Sequence, residues 1–122
     1  MARADRYRVT NITRQTTLAD RSARAADPIR RGVGLMGRKG LAEGEALIID
    51  PCNGIVSFFM RFRFDAVFLD ADGRVCHLVE NMPPWRASKI VRGSKRVVEL
   101  PAGVIERTGT ELGDQLDISP AA

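Results

Sequence analysis

Between Phe58 and Phe68 every second residue is apolar: Phe58, Met60, Phe62, Phe64, Ala66 and Phe68 share one parity. A period of two over this length predicts a β-strand with one continuous apolar face. The opposite parity reads Phe59, Arg61, Arg63, Asp65, Val67 and Leu69, which sets three charged side chains in a row on the second face. Asp70-Ala71-Asp72-Gly73 reads as a tight turn with a positive φ at Gly73, and Val75 to Val79 as the returning strand. Phe62, Phe64 and Phe68 are expected to be buried together. The register of the return strand stays open. A turn closed by Asp70 and Arg74 sets Val67 opposite His77, diagonal to Asp65, whereas a two-residue loop sets His77 opposite Phe68 in the core face.

Shorter patterns flank this hairpin. Tyr7-Arg8-Val9 reads as the start of an edge strand, after residues 1–6 that are expected to fray. Asp27-Pro28 is a helix-start signal, and Ile29, Val33 and Met36 would share one face of a short helix ending near Gly37. Ala46 to Ile49 predicts a strand ended by Asp50-Pro51. Asn81-Met82-Pro83-Pro84 ends the hairpin, since proline donates no ladder hydrogen bond. Arg96 to Leu100 predicts another strand, Val104 to Thr108 one or two helical turns, and Gln115 to Ile118 a last strand. Several short strands with one or two short helices predict a mainly β fold, either a small antiparallel β-sandwich or a partly closed barrel. No repeat or linker divides the chain, so residues 1–122 are expected to form one domain.

Composition narrows the class of protein. The chain has 122 residues, 44% of them apolar and 28% charged, as in an ordinary globular domain. No apolar run is long enough to span a bilayer, and no secretory h-region follows the charged start. Cys52 and Cys76 have no metal-ligand spacing, and a reduced, cytoplasmic setting is expected. Residues 1–40 hold ten Arg and Lys against three Asp, while residues 41–122 hold nine against twelve acidic residues. The basic third can attract an anionic partner, but a soluble arginine-rich surface explains it equally simply.

Several segments follow one another in an order that carries a resemblance. They are Gly34-Leu35-Met36-Gly37-Arg38, Met60-Arg61-Phe62, Asp65 to Asp70, Asp72-Gly73-Arg74-Val75, Pro84-Trp85-Arg86 and Val98-Glu99-Leu100-Pro101-Ala102-Gly103. Over residues 31–118 the chain resembles the domain of unknown function family 192. The resemblance implies a small, mainly β domain and carries no assigned activity. Related sequences read Ile-His-Thr where this chain has Ile55-Val56-Ser57, and Phe-Pro-Ile-Asp where it has Phe62-Arg63-Phe64-Asp65. A histidine-dependent role would therefore not transfer.

Two constellations are candidates for binding. On a strand face, Arg61, Arg63 and Asp65 would stand ~6.6–7 Å apart, within reach of one anion or hydroxylated ligand. Trp85 and Arg86, after two prolines, open a stretch to Arg96 with five basic residues and no acidic one. A lone indole beside cations can stack a sugar ring while the cations hold an anionic group. Glu99 alternates with Val98 and Leu100 and is expected to face outward as a third ligand-binding candidate. No Ser-His-Asp pattern, metal-ligand set or phosphate-loop spacing is present, so no cofactor is expected. The preferred reading is a non-enzymatic binding module for a small anionic or carbohydrate-type ligand at Arg61, Arg63, Asp65, Trp85, Arg86 and Glu99. The alternatives are a metal-independent enzyme using Asp65, His77 and Glu99, or a nucleic-acid or protein binder using the basic N-terminal third. Nucleic acid is the less favoured partner because a reader motif is lacking; no membrane partner is expected, and the sequence is silent on oligomeric state.

Overall fold

The structure, a computed structural model, describes residues 6–25, Leu35 and residues 37–121. The predicted helix from Asp27 and the fraying of residues 1–5 lie outside the described residues. The elements are β1 (Tyr7–Asn11), β2 (Thr16–Ala25), β3 (Glu45–Ile49), β4 (Phe64–Leu69), β5 (Val75–Met82), β6 (Arg96–Pro101), α1 (Val104–Thr108) and β7 (Leu116–Pro120). They form one sheet in the order β5-β4-β6-β3-β2-β1-β7. Every neighbouring pair is antiparallel except β2 with β3, which run parallel from Arg21↔Glu45 to Ala25↔Ile49.

The sheet curls until its two ends touch at one corner. There the turn between β4 and β5 meets the start of β7, through Leu116 N–H to Gly73 O at 2.9 Å and Val75 N–H to Asp114 O at 2.9 Å. The result is a half-barrel, the partly closed barrel of the two predicted architectures. Its inner face buries Val9, Leu18, Ile48, Val67, Val98 and Leu100, and α1 closes one end with Val104 and Ile105. The other face carries Phe64, Ala66, Phe68, Leu47 and Val97. Irregular chain covers it, through Ile55 and Met60 from the segment before β4 and Val91 from the segment after β5. With both faces covered, β4 is buried at all six positions. Complete burial of Phe64 and Phe68 contributes about 1.5–3 kcal/mol each, and Phe62 packs half-buried against the same cluster.

Three expectations need correction. The strand does not start at Phe58: a turn closed by Met60 N–H to Ser57 O at 3.2 Å occupies that stretch, with Phe59 at φ 66, and regular pairing begins only at Phe64. The β1 strand is no edge, because it lies between β2 and β7. β2 was invisible as a period-two pattern. Val9 pairs with Ala19 but Thr10 pairs with Thr17, so an extra residue leaves Leu18 and Ala19 both buried and breaks the alternation.

Candidate functional site

The sharpest surface feature grows from the irregular chain between the strands. Residues 53–57 and 86–91 run antiparallel, joined by Val91 N–H to Asn53 O (2.8 Å), Ser88 N–H to Ile55 O (2.8 Å) and Ser57 N–H to Arg86 O (2.8 Å). Ser57 is completely buried and is the pin of this ribbon. Its hydroxyl donates to Pro83 O at 2.6 Å and accepts from Arg86 N–H at 2.9 Å, while its carbonyl accepts from Trp85 N–H at 2.9 Å. Two tight turns, at Phe58-Phe59 and at Pro84-Trp85, are thereby held side by side.

Each turn presents an aromatic residue from a left-handed backbone conformation, Phe59 at φ 66 and Trp85 at φ 64. Bulky residues rarely adopt this region, and doing so costs roughly 1–3 kcal/mol each. The rings meet: Phe58 stacks on Trp85 at 5.9 Å between centroids, and Phe59 tilts against Trp85 at 4.7 Å. Yet these rings are 41%, 61% and 55% exposed for Phe58, Phe59 and Trp85. Val56 is half-exposed beside the pinning serine. Exposed apolar rings held in strained backbone make this ledge the candidate contact surface.

The residues singled out by sequence divide among three places. Trp85 and Arg86 belong to this aromatic ledge, with the Arg86 guanidinium folded back to Trp85 O at 3.5 Å. Arg61 is exposed two residues beyond Phe59. Arg63 is exposed as well, but its guanidinium donates to Asn81 O at 3.2 Å. Asp65 does not join that row in solvent. It is 1% exposed and accepts three backbone N–H groups, from Asn81 (2.8 Å), Gly103 (3.1 Å) and Ile105 (2.9 Å). The carboxylate thus caps the start of α1 from a neighbouring strand.

Glu99 is buried, against expectation, on the face that irregular chain covers, opposite Leu47 on β3 and Ala66 on β4. Burial pushes its carboxyl up to about 8, and its Oε1 has no hydrogen-bond partner among the described residues. His77 lies opposite Phe68, its ring edge-on to that phenyl at 5.2 Å, although Asp70 and Arg74 do close the turn; a bulge between Phe68 and Leu69 reconciles the two. Burial and then nearby Lys89 lower the His77 pKa. Asp65 and His77 sit on opposite sheet faces, so the two are not brought together as an acid–base pair. Cys52 and Cys76 are half-buried and do not pair with each other. Among the described residues no group of three His, Cys, Asp or Glu is placed to hold a metal.

Sequence reasoning missed Ser57, Phe58 and Phe59. The available signal was the Phe58-Phe59 doublet, because two adjacent aromatics cannot both face one side of a strand.

Relatives share the architecture without supplying a ligand. A structure of a protein of unknown function from Novosphingobium aromaticivorans superposes with a TM-score of 0.80 at 23% identity, over 92% of this chain and 83% of that one. A second, from Sinorhizobium meliloti and described as a "putative transcription regulator", superposes with a TM-score of 0.75 at 28% identity, over 92% and 91%. A UPF0127 protein of Pyrococcus furiosus is 32% identical over 88% of this chain and 94% of its own. For a UPF0127 protein of Thermococcus sibiricus the identity is 38% over 49% of this chain, and the match spans only 38% of that protein. The DUF192 family, described as "Uncharacterized ACR", matches residues 9–118, and the chain belongs to that family.

Proposed function

We propose that this protein is a non-enzymatic binding module whose ledge of Phe58, Phe59 and Trp85 stacks an acidic saccharide. The single observation carrying this reading is the exposed ring cluster, built at the cost of two left-handed aromatic residues and pinned by buried Ser57. Flat apolar rings accept the C–H face of a sugar, and Arg61 and Arg86 at the ledge supply guanidinium forks for carboxylate substituents. The dispersal of Asp65, His77 and Glu99 supports binding over catalysis, since Asp65 is already committed to three N–H groups and His77 to a phenyl edge. A cytoplasmic setting fits a chain with only two cysteines.

The relative described as a transcription regulator makes nucleic acid the second reading. Against it stands the state of the basic residues. Arg14 pairs with Asp114 (2.9 Å) and Glu111 (3.0 Å), Arg24 with Asp50 (3.2 Å), and Arg107 with Glu43 (3.2 Å). Paired guanidiniums contribute less to a phosphate track than their number suggests.

Trp85 is the single tryptophan, so its fluorescence reports the ledge directly. Titration with oligogalacturonate should give a saturable change, with a neutral cello-oligosaccharide binding more weakly. By calorimetry, Trp85→Ala should weaken binding by roughly 1–3 kcal/mol and leave the melting temperature nearly unchanged. Absence of saturation with both saccharides would sink the reading. Saturable binding to DNA with a steep salt dependence, and none to oligogalacturonate, would replace it with the nucleic-acid reading.

A further inference from the structure

The end of the half-barrel opposite α1 holds a second constellation. A cavity of about 140 Å³ opens there, lined by Tyr7, Arg24, Ile48, Asp50, Arg96 and Ile118. The lining is a consequence of strand parity. Ile48 belongs to the inner core, Arg24 stands beside it across the β2–β3 pairing, and Arg96 lies two residues before inward-facing Val98. Tyr7 and Ile118 pack against the same core from β1 and β7.

The polar groups in this mouth are incompletely matched. Arg24 Nη2 donates to Asp50 Oδ2 at 3.2 Å. Arg96 Nε lies 3.4 Å from the same oxygen, outside hydrogen-bonding geometry, and is buried with no hydrogen-bond partner among the described residues. Ser22, two residues before Arg24 and opposite Tyr7, lies behind the lining; it is 1% exposed and its hydroxyl has no hydrogen-bond partner among the described residues. Two guanidiniums sharing one carboxylate leave a net charge of +1 beside Ile48, Ile118 and Tyr7 in a half-polar cavity. Buried donors are almost always satisfied in folded proteins, so unmatched ones beside a cavity point to a ligand.

We infer that this mouth binds a small monocarboxylate with a short apolar tail. The ligand carboxylate accepts from Arg96 Nε and the Arg24 guanidinium, whose planar forks suit that group. The tail lies against Ile48, Ile118 and the Tyr7 ring. One negative charge neutralises the site, whereas a dianion would be repelled by Asp50. The volume is many times the ~10–15 Å³ that one water needs, yet too small for a nucleotide or an oligosaccharide. The site shares no lining residue with the aromatic ledge.

The test is an NMR titration of the full chain with isobutyrate, isobutyramide and inorganic phosphate. Isobutyrate should shift the Arg24 and Arg96 Nε–H signals and the Ile48 and Ile118 methyls saturably. Isobutyramide and phosphate should each bind at least tenfold more weakly. Arg96→Gln should reduce isobutyrate affinity at least tenfold while the remaining spectrum stays folded. Asp50→Asn should tighten binding several-fold, because the ligand no longer competes with a resident carboxylate. Opposite signs from two partners of one ion pair would not arise from loss of packing alone. Should Asp50→Asn fail to fold, Arg24→Gln supplies the second arm with an expected loss of at least tenfold. Trp85→Ala should leave this titration unchanged. Linear shifts, equal affinity for the amide, preference for phosphate, or unaltered affinity in Arg96→Gln would each overturn the inference.

Discussion

At Glu99 a carboxyl is buried between Leu47 and Ala66, where loss of solvent disfavours its charge. Its folded pKa of about 8 lies above the 4.5 of an unperturbed glutamate, so the folded state holds a proton that the unfolded chain releases. Stability from this group is therefore complete below about pH 4.5 and falls as pH rises toward 8. Glu99→Gln removes the titration and should raise stability by up to about 4 kcal/mol near pH 7.5, with the gain vanishing near pH 4.5. Denaturant melts at the two pH values check this; a gain equal at both would show that the charge is not the cause. The sequence pattern pointed Glu99 outward because the alternation of Val98 and Leu100 implies one solvated face. It could not show that irregular chain covers that face. Asp65 misled for a related reason, since the N–H groups of Gly103 and Ile105 that occupy it come from about forty residues away.

Among the elements, the β4–β5 hairpin was the most legible, because its turn chemistry is local. Gly73 has φ 85, as the Asp70-Ala71-Asp72-Gly73 pattern implies. The structure adds a second demand on that residue. A side chain built there would meet Leu116 O at 2.8 Å, in the seam that closes the half-barrel. Gly73→Val should therefore cost about 2 kcal/mol or more, through backbone strain and an opened seam together. Amide exchange should rise at Leu116 and Val75 beyond the hairpin itself. A variant melting like the parent would place the seam elsewhere. The extent of β4 was less legible. Phe58, Met60 and Phe62 keep the parity of Phe64, but the left-handed Phe59 and the hydrogen bonds of Ser57 break the strand, and neither is encoded in apolar periodicity.

For the molecule as a whole, β class and a partly closed barrel were readable from strand count and turn spacing, whereas the strand order was not. Pairing of β2 with β3 in parallel and of β1 with β7 depends on contacts between distant segments that local pattern does not carry. Whole-molecule stability should follow pH through two opposed groups. Burial would raise the Asp114 pKa, but hydrogen bonds from Arg14, Asn11 and the Glu111 N–H win and hold it at about 2, below its ordinary 3.8. Its contribution is present above about pH 4 and is lost as pH falls toward 2. His77, with a lowered pKa, acts in the same sense below its ordinary 6.5, while the larger Glu99 shift acts oppositely above 4.5. The melting temperature should therefore peak on the acid side of neutrality, and a maximum near pH 8 would contradict the assignment.

The place of β1 in the sheet has a consequence for how the chain acquires its shape. Tyr7 to Asn11 must find Leu116 to Pro120, so the first strand made is paired on its second side only by the last one made. During synthesis from the ribosome, β1 can zip to β2 early but keeps an open edge until Leu116 to Pro120 emerge. Such long-range closure makes folding slow relative to a helical protein of the same length. It also leaves the nascent chain dependent on whatever shields that edge until the last strand arrives.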